Sequence, residues 1–128
     1  MRDFILVGVG GFVGSVSRYY LSGLVLHLSG ASRVPWATLT VNTLGCLVIG
    51  VLAGGAEVRH FLTPGSRLFL FTGLLGGFTT FSAFGFETYF LGREHLWFEA
   101  SLNVALHILL ALPAVWIGHR LAVFFIAG

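Results

Sequence analysis

Four stretches of about twenty largely apolar residues, separated by short connections, constrain this chain more than any other feature. A hydrocarbon layer about 30 Å thick takes about 20 apolar helical residues to cross, and a backbone in lipid must satisfy its hydrogen bonds internally, as a helix does. The windows run over about 4–28, 36–56, 68–89 and 96–125. Pro35 opens the second, where proline is tolerated at a helix start, and the turn-like Thr63 to Ser66 introduces the third. Pro113 predicts a kink within the fourth. The connections SGASRV, EVRHFLTPGSR and LGREH hold most of the remaining charge, so residues 1–128 read as a single transmembrane domain with nothing left for a soluble one. The first apolar run reads poorly as a signal peptide, since it carries Arg18 and several glycines with no cleavage-type region after it.

Composition excludes the water-soluble alternative. Charged residues make up 9% of the chain, against about 25% in a soluble domain. All seven basic groups are arginines and the net charge is +2, which provides no patch for nucleic acid. Cys46 is the single cysteine, so no intrachain disulfide forms. With the N-terminus facing the cytoplasm, Arg2, Arg59, Arg67 and Arg120 fall on that side and Arg18, Arg33 and Arg93 on the other. Arginine asymmetry normally sets topology. Here the balance leaves two outcomes open: insertion both ways with antiparallel pairing, or one orientation by a small margin. Four helices make a thin bundle, and the GxxxG pairs Gly10/Gly14 and Gly50/Gly54 are expected to support association between copies.

Polar groups inside a membrane are costly and are functional candidates by default. Thr38, Asn42 and Cys46 share one face of the second helix at four-residue spacing, and Asn103, His107 and Ala111 share one face of the fourth. Asn42 is suited either to bridging helices or to lining a path. A lone histidine is more often a hydrogen-bonded packing element than a ligand. Arg18, followed by Tyr19 and Tyr20, fits snorkelling to the interface or anion attraction at a pore mouth. Asp3, Glu57, Glu87, Glu94 and Glu99 all fall near expected helix ends, which leaves no carboxylate at mid-membrane.

The segment GGFTTFSAFG, Gly76 to Gly85, is the most unusual part of the third window. Glycines and hydroxyl side chains weaken a helix there, so the third helix is expected to break near its middle. Backbone opened at that depth survives where it is buried in protein or lines a polar cavity, and its carbonyls suit a small cation. Phe78, Phe81 and Phe84 recur every three residues. Aromatic edges carry partial positive charge, so with the Asn42 amide and the Thr80 or Ser82 hydroxyls they would make a weakly polar anion path. Packing is the commoner use of such a stripe.

GVGGFVGSVSRYY (Gly8 to Tyr20), PWATLTVNTLGCLVIG (Pro35 to Gly50) and GLLGGFTTFSAFGFE (Gly73 to Glu87) resemble, in this order, the motifs of the Fluc (CrcB) fluoride channel family. The resemblance implies an all-α, dual-topology antiparallel homodimer with two pores in the cytoplasmic membrane. It also implies passive export of F⁻ that limits fluoride toxicity, and a structural Na⁺ at the dimer centre. By motif, Gly76 and Thr79 would offer backbone carbonyls to Na⁺, Phe81 and Phe84 would be the pore aromatics, and Asn42 the pore amide. Thr80 and Ser82 would supply hydroxyls near the path, Arg18 is the arginine of the first-helix motif, and Arg18 and Thr38 would take a vestibule or structural role. Two positions depart from the pattern: Ala83 replaces a usual threonine, and Asn103 and His107 replace a tyrosine and serine track, where they become the pore candidates of the fourth helix. The runner-up is a small proton-coupled multidrug exporter, which needs a buried carboxylate, and a haem-carrying anchor through His107 is a third. An enzyme is not expected, because no nucleophile, base and orienting group converge.

Overall fold

A computed structural model describes residues 1–127. It contains four long helices: α1 (Arg2–Ser29), α2 (Trp36–Arg59), α3 (Pro64–Arg93) and α4 (Trp97–Ala127). No strand occurs among the described residues. The helices hold 28, 24, 30 and 31 residues, or roughly 36 to 46 Å at 1.5 Å per residue, enough to cross a bilayer. They extend past the apolar windows because hydropathy marks only the lipid-depth part of a helix. Thr63 caps α3 by accepting from the Ser66 N–H at 3.2 Å, with Pro64 in the first turn. At the other end of α2, His60 takes a left-handed conformation (φ 49°) and returns its N–H to the Ala56 carbonyl at 3.0 Å.

Close helix packing here depends on missing side chains. The most extensive interface joins α2 to α4, and the N-terminal half of α3 lies along α1. A Cβ on Gly10 would come within 2.6 Å of the Phe69 carbonyl oxygen, and one on Gly54 within 2.6 Å of the His119 carbonyl oxygen. Gly14 likewise abuts Leu74 and Phe78, and Gly50 abuts Val115. Both GxxxG pairs are therefore used inside the chain, Gly10/Gly14 against α3 and Gly50/Gly54 against α4. The expectation that they support contact between copies is corrected accordingly. Between apolar helices in lipid, burial contributes little drive, and close backbone approach supplies the packing energy; a glycine face engaged this way within the chain is closed to a second copy. Large side chains such as Phe12, Phe98, Trp116 and Phe124 point outward, as lipid allows.

Two helices are irregular. In α3, Leu68–Leu75 is π-helical and Gly76–Phe78 returns to α geometry. Thr79 (φ −81°, ψ 156°) and Thr80 (φ −151°, ψ 109°) are then extended before Phe81–Arg93 resumes the helix. In α4, His107–Ala111 is π-helical immediately before Pro113. Proline donates no hydrogen bond and its ring crowds the carbonyl four residues back, and a widened turn accommodates both.

Candidate functional site

The two extended threonines raise an accounting question, because every backbone group at such a place needs a partner. A continuous helix would send the Thr80 N–H to the Gly76 carbonyl. It goes instead to Asn42 Oδ1 at 2.8 Å, and the Thr80 carbonyl accepts from Asn42 Nδ2 at 3.1 Å. The carboxamide of Asn42 thus takes the place of a neighbouring peptide group. Thr80 Oγ1 accepts from the Ala83 N–H at 3.2 Å, capping the second half of α3, and lies 3.1 Å from Ser82 Oγ. These substitutions leave the Gly76 and Thr79 carbonyls without the N–H donors four residues ahead. From α1, Ser15 Oγ donates to the Gly77 carbonyl at 3.4 Å, a contact that the sequence reading missed.

Around this pair lies a cavity of about 500 Å³ between α2, α3 and α4. Asn42, Thr80, Phe81, Phe84 and His107 line it, with Gly76 and Thr79 at one wall and Cys46 one turn from Asn42. The three rings form a ladder: Phe81 and Phe84 have centroids 5.4 Å apart, and Phe84 and His107 4.4 Å apart. Asn42 is 8% exposed, whereas Phe81 is 82% exposed and stands at the open side. His107 contacts Asn42 Nδ2 through Nε2 at 3.3 Å and the Asn103 carbonyl through Nδ1 at 2.9 Å. Both π-helical segments reach this cavity, Phe71 and Leu75 from one and His107 and Ala111 from the other.

A second cavity of about 240 Å³ lies on the other side of Thr80, lined by Ser15, Arg18, Ser22, Thr38 and Ala83 among others. Thr80 lines both, so one residue separates an arginine-bearing recess from an aromatic one. Only a methyl group represents Ala83 there. Thr38 donates through Oγ1 to the Glu87 carboxylate.

The remaining candidates sit elsewhere. Ser82 lines neither cavity, and its hydroxyl is engaged with Thr80. Asn103 has no exposure and ties α4 to α3 by donating to Thr88 Oγ1 at 2.8 Å. Glu87 requires a correction: the sequence places it near a helix end, yet α3 runs on to Arg93 and the side chain turns inward to α2. The window of 68–89 stops short of Arg93, which puts Glu87 close to its end; the half-buried carboxyl accepts one hydrogen bond from a partner 49 residues away, and its Oε2 has none among the described residues.

Residues 5–119 match the profile of the CrcB-like, camphor resistance proteins. The chain belongs to the CrcB family. Among curated CrcB relatives, the fluoride-specific ion channel FluC of Methylobacillus flagellatus is 50% identical over 94% of both chains. The proteins of the same name from Elusimicrobium minutum and Opitutus terrae are each 43% identical, over 95% and 96% of this chain and 94% of theirs. The CrcB match spans every residue of both cavities, so the site belongs to the part of the chain that the family shares.

Proposed function

We propose that this CrcB protein is a multi-pass channel of the cytoplasmic membrane that lets F⁻ pass passively and selectively, without chemistry or energy coupling. The observation that carries the reading is the Asn42–Thr80 exchange beside the Phe81–Phe84–His107 ladder. It keeps backbone open at a largely apolar cavity that carries a few polar groups, Asn42, Thr80 and His107, beside the two phenylalanine rings. Fluoride is small and strongly hydrated, so a pore must replace water with donors strong enough to admit the ion and weak enough to release it. The Asn42 amide, the Thr80 hydroxyl and ring edges would meet that condition without an arginine in the cavity lining among the described residues. Arg18, in the second recess, supplies positive potential at a distance.

The same reading pairs two antiparallel copies. Phe81 leaves one wall of its cavity open, and a second chain would close it; the near balance of arginines permits both orientations. The break in α3 also serves a structural Na⁺. Gly76 and Thr79 would present carbonyls released from helical bonding, and oxygen donors of that kind suit a small hard cation. Bound Na⁺ would supply charge that holds two such breaks together. The proton-coupled exporter finds no support at the main cavity, because no carboxylate lines it among the described residues.

The test is reconstitution in liposomes with F⁻ efflux followed by an ion-selective electrode and Cl⁻ efflux as control. Rapid F⁻ release with Cl⁻ retained is expected. Equal release of both ions, or of neither, rejects the function.

A further inference from the structure

The hydrogen atoms around Asn42 can be counted. Because the Thr80 N–H is a donor, the carboxamide oxygen must face it, and Nδ2 therefore faces the Thr80 carbonyl and His107. The Asn103 carbonyl is an acceptor only, so His107 Nδ1 carries the proton and Nε2 presents a bare lone pair to Asn42. Asn42 has two N–H groups, and both are engaged: one by Thr80, the other by the longer contact to His107 at 3.3 Å. In this state the amide has no free hydrogen for a passing anion, and the imidazole offers it a repelling lone pair.

Resting on the channel reading above, we infer that His107 is a positioning residue whose protonation hands the second Asn42 N–H to the anion. When Nε2 gains a proton it can no longer accept from Asn42. The amide hydrogen is released, and the imidazolium adds an N–H donor of its own beside it. Both donors lie at one cavity, and charge-assisted donation to an anion is stronger than neutral donation. The Nδ1–H bond to the Asn103 carbonyl is kept in both states, so the ring does not need to turn.

Besides the Na⁺ proposed at the Gly76 and Thr79 carbonyls, which does not titrate, no other charged side chain among the described residues lines this place. Of the side chains lining the cavity, α2 contributes Cys46 as its only titratable group and α3 contributes none. The Glu87 carboxylate of α3 is held by Thr38, and Arg18 of α1 lines the other recess. On α4 and α2, His119 and Glu57 pair with each other at 2.7 Å, away from both cavities.

The test is single-channel recording in planar bilayers, with fluoride varied at about pH 8 and about pH 6, a range across which histidines commonly change charge. For the wild-type protein the half-saturating fluoride concentration is expected to fall on the order of tenfold at the lower pH, the factor one charge-assisted hydrogen bond supplies. His107→Gln keeps a neutral acceptor and is expected to remove the pH shift. His107→Leu leaves the Asn42 N–H free at every pH, so it too should be flat, and at about pH 8 its half-saturation should lie below that of wild type. A purely structural role for His107 would lower current in both variants without touching the pH profile. Fluoride current with no pH shift in the wild type, or a shift retained in either variant, would overturn this inference and leave the channel reading standing. Absence of fluoride current at both pH values would overturn both.

Discussion

Replacing Asn42 by alanine removes two hydrogen bonds to a single extended residue, the 2.8 Å bond from the Thr80 N–H and the 3.1 Å bond to its carbonyl. Leaving a buried backbone group unpaired costs about 1–3 kcal/mol, so the pair is worth roughly 2–6 kcal/mol if the backbone stays as it is. The chain has one way to reduce that loss: the Thr80 N–H can return to the Gly76 carbonyl and close the break. Either outcome removes the amide donor from the cavity. With His107 protonated and the second Asn42 N–H free, losing that donor at about 1–3 kcal/mol corresponds to a flux lower by roughly tenfold to a hundredfold, so the assay is run at about pH 6. Initial F⁻ efflux from liposomes at matched protein density, read beside the thermal unfolding midpoint in detergent, separates the two effects. Asn42→Asp keeps an acceptor for the Thr80 N–H while removing both amide hydrogens, so its flux should fall further relative to its stability than that of the alanine variant. Asn42→Ala conducting at the wild-type rate with an unshifted midpoint would refute both the accounting and the pore role.

Gly10→Val should lower the unfolding midpoint, because its Cβ would press to 2.6 Å from the Phe69 carbonyl oxygen and 2.9 Å from the Leu74 nitrogen. Overpacking of this kind costs about 1–3 kcal/mol, while Gly85→Ala, whose Cβ meets nothing within 4 Å, should leave the midpoint unchanged or higher. An equal loss for both would show that α1 does not pack through that glycine. His60→Gly should raise the midpoint, since a non-glycine residue in the left-handed region costs about 1–2 kcal/mol and φ is 49° there. A lowered midpoint in a thermal scan would mean that the His60 side chain contributes more than its backbone strain removes.

Much of the lining of the main cavity was legible because its residues cluster in short motifs. Thr79, Thr80, Phe81 and Phe84 lie within one decapeptide, and the weakness of that decapeptide as a helix follows from glycine and hydroxyl chemistry alone. Asn42 stood out as an amide inside an apolar run. What it does there was not readable, since its partners Thr80 and His107 lie 38 and 65 residues away. The relevant pairing depends on how α2 is rotated against α3 and α4. The GxxxG pairs were misread for the same reason. Spacing tells that a helix has a small face but not which neighbour takes it, and here helices of the same chain do.

Local chemistry by itself determined four membrane-length helices, the turn at Thr63 to Ser66 and the candidate residues, because solvent and backbone hydrogen bonding act over a few residues at a time. Only the tertiary structure decided that an asparagine side chain stands in for a peptide group, that Glu87 turns inward to Thr38, and that Thr80 divides two recesses. Those outcomes turn on atoms brought within about 3 Å of one another from distant parts of the chain, a precision that the packing of whole helices sets.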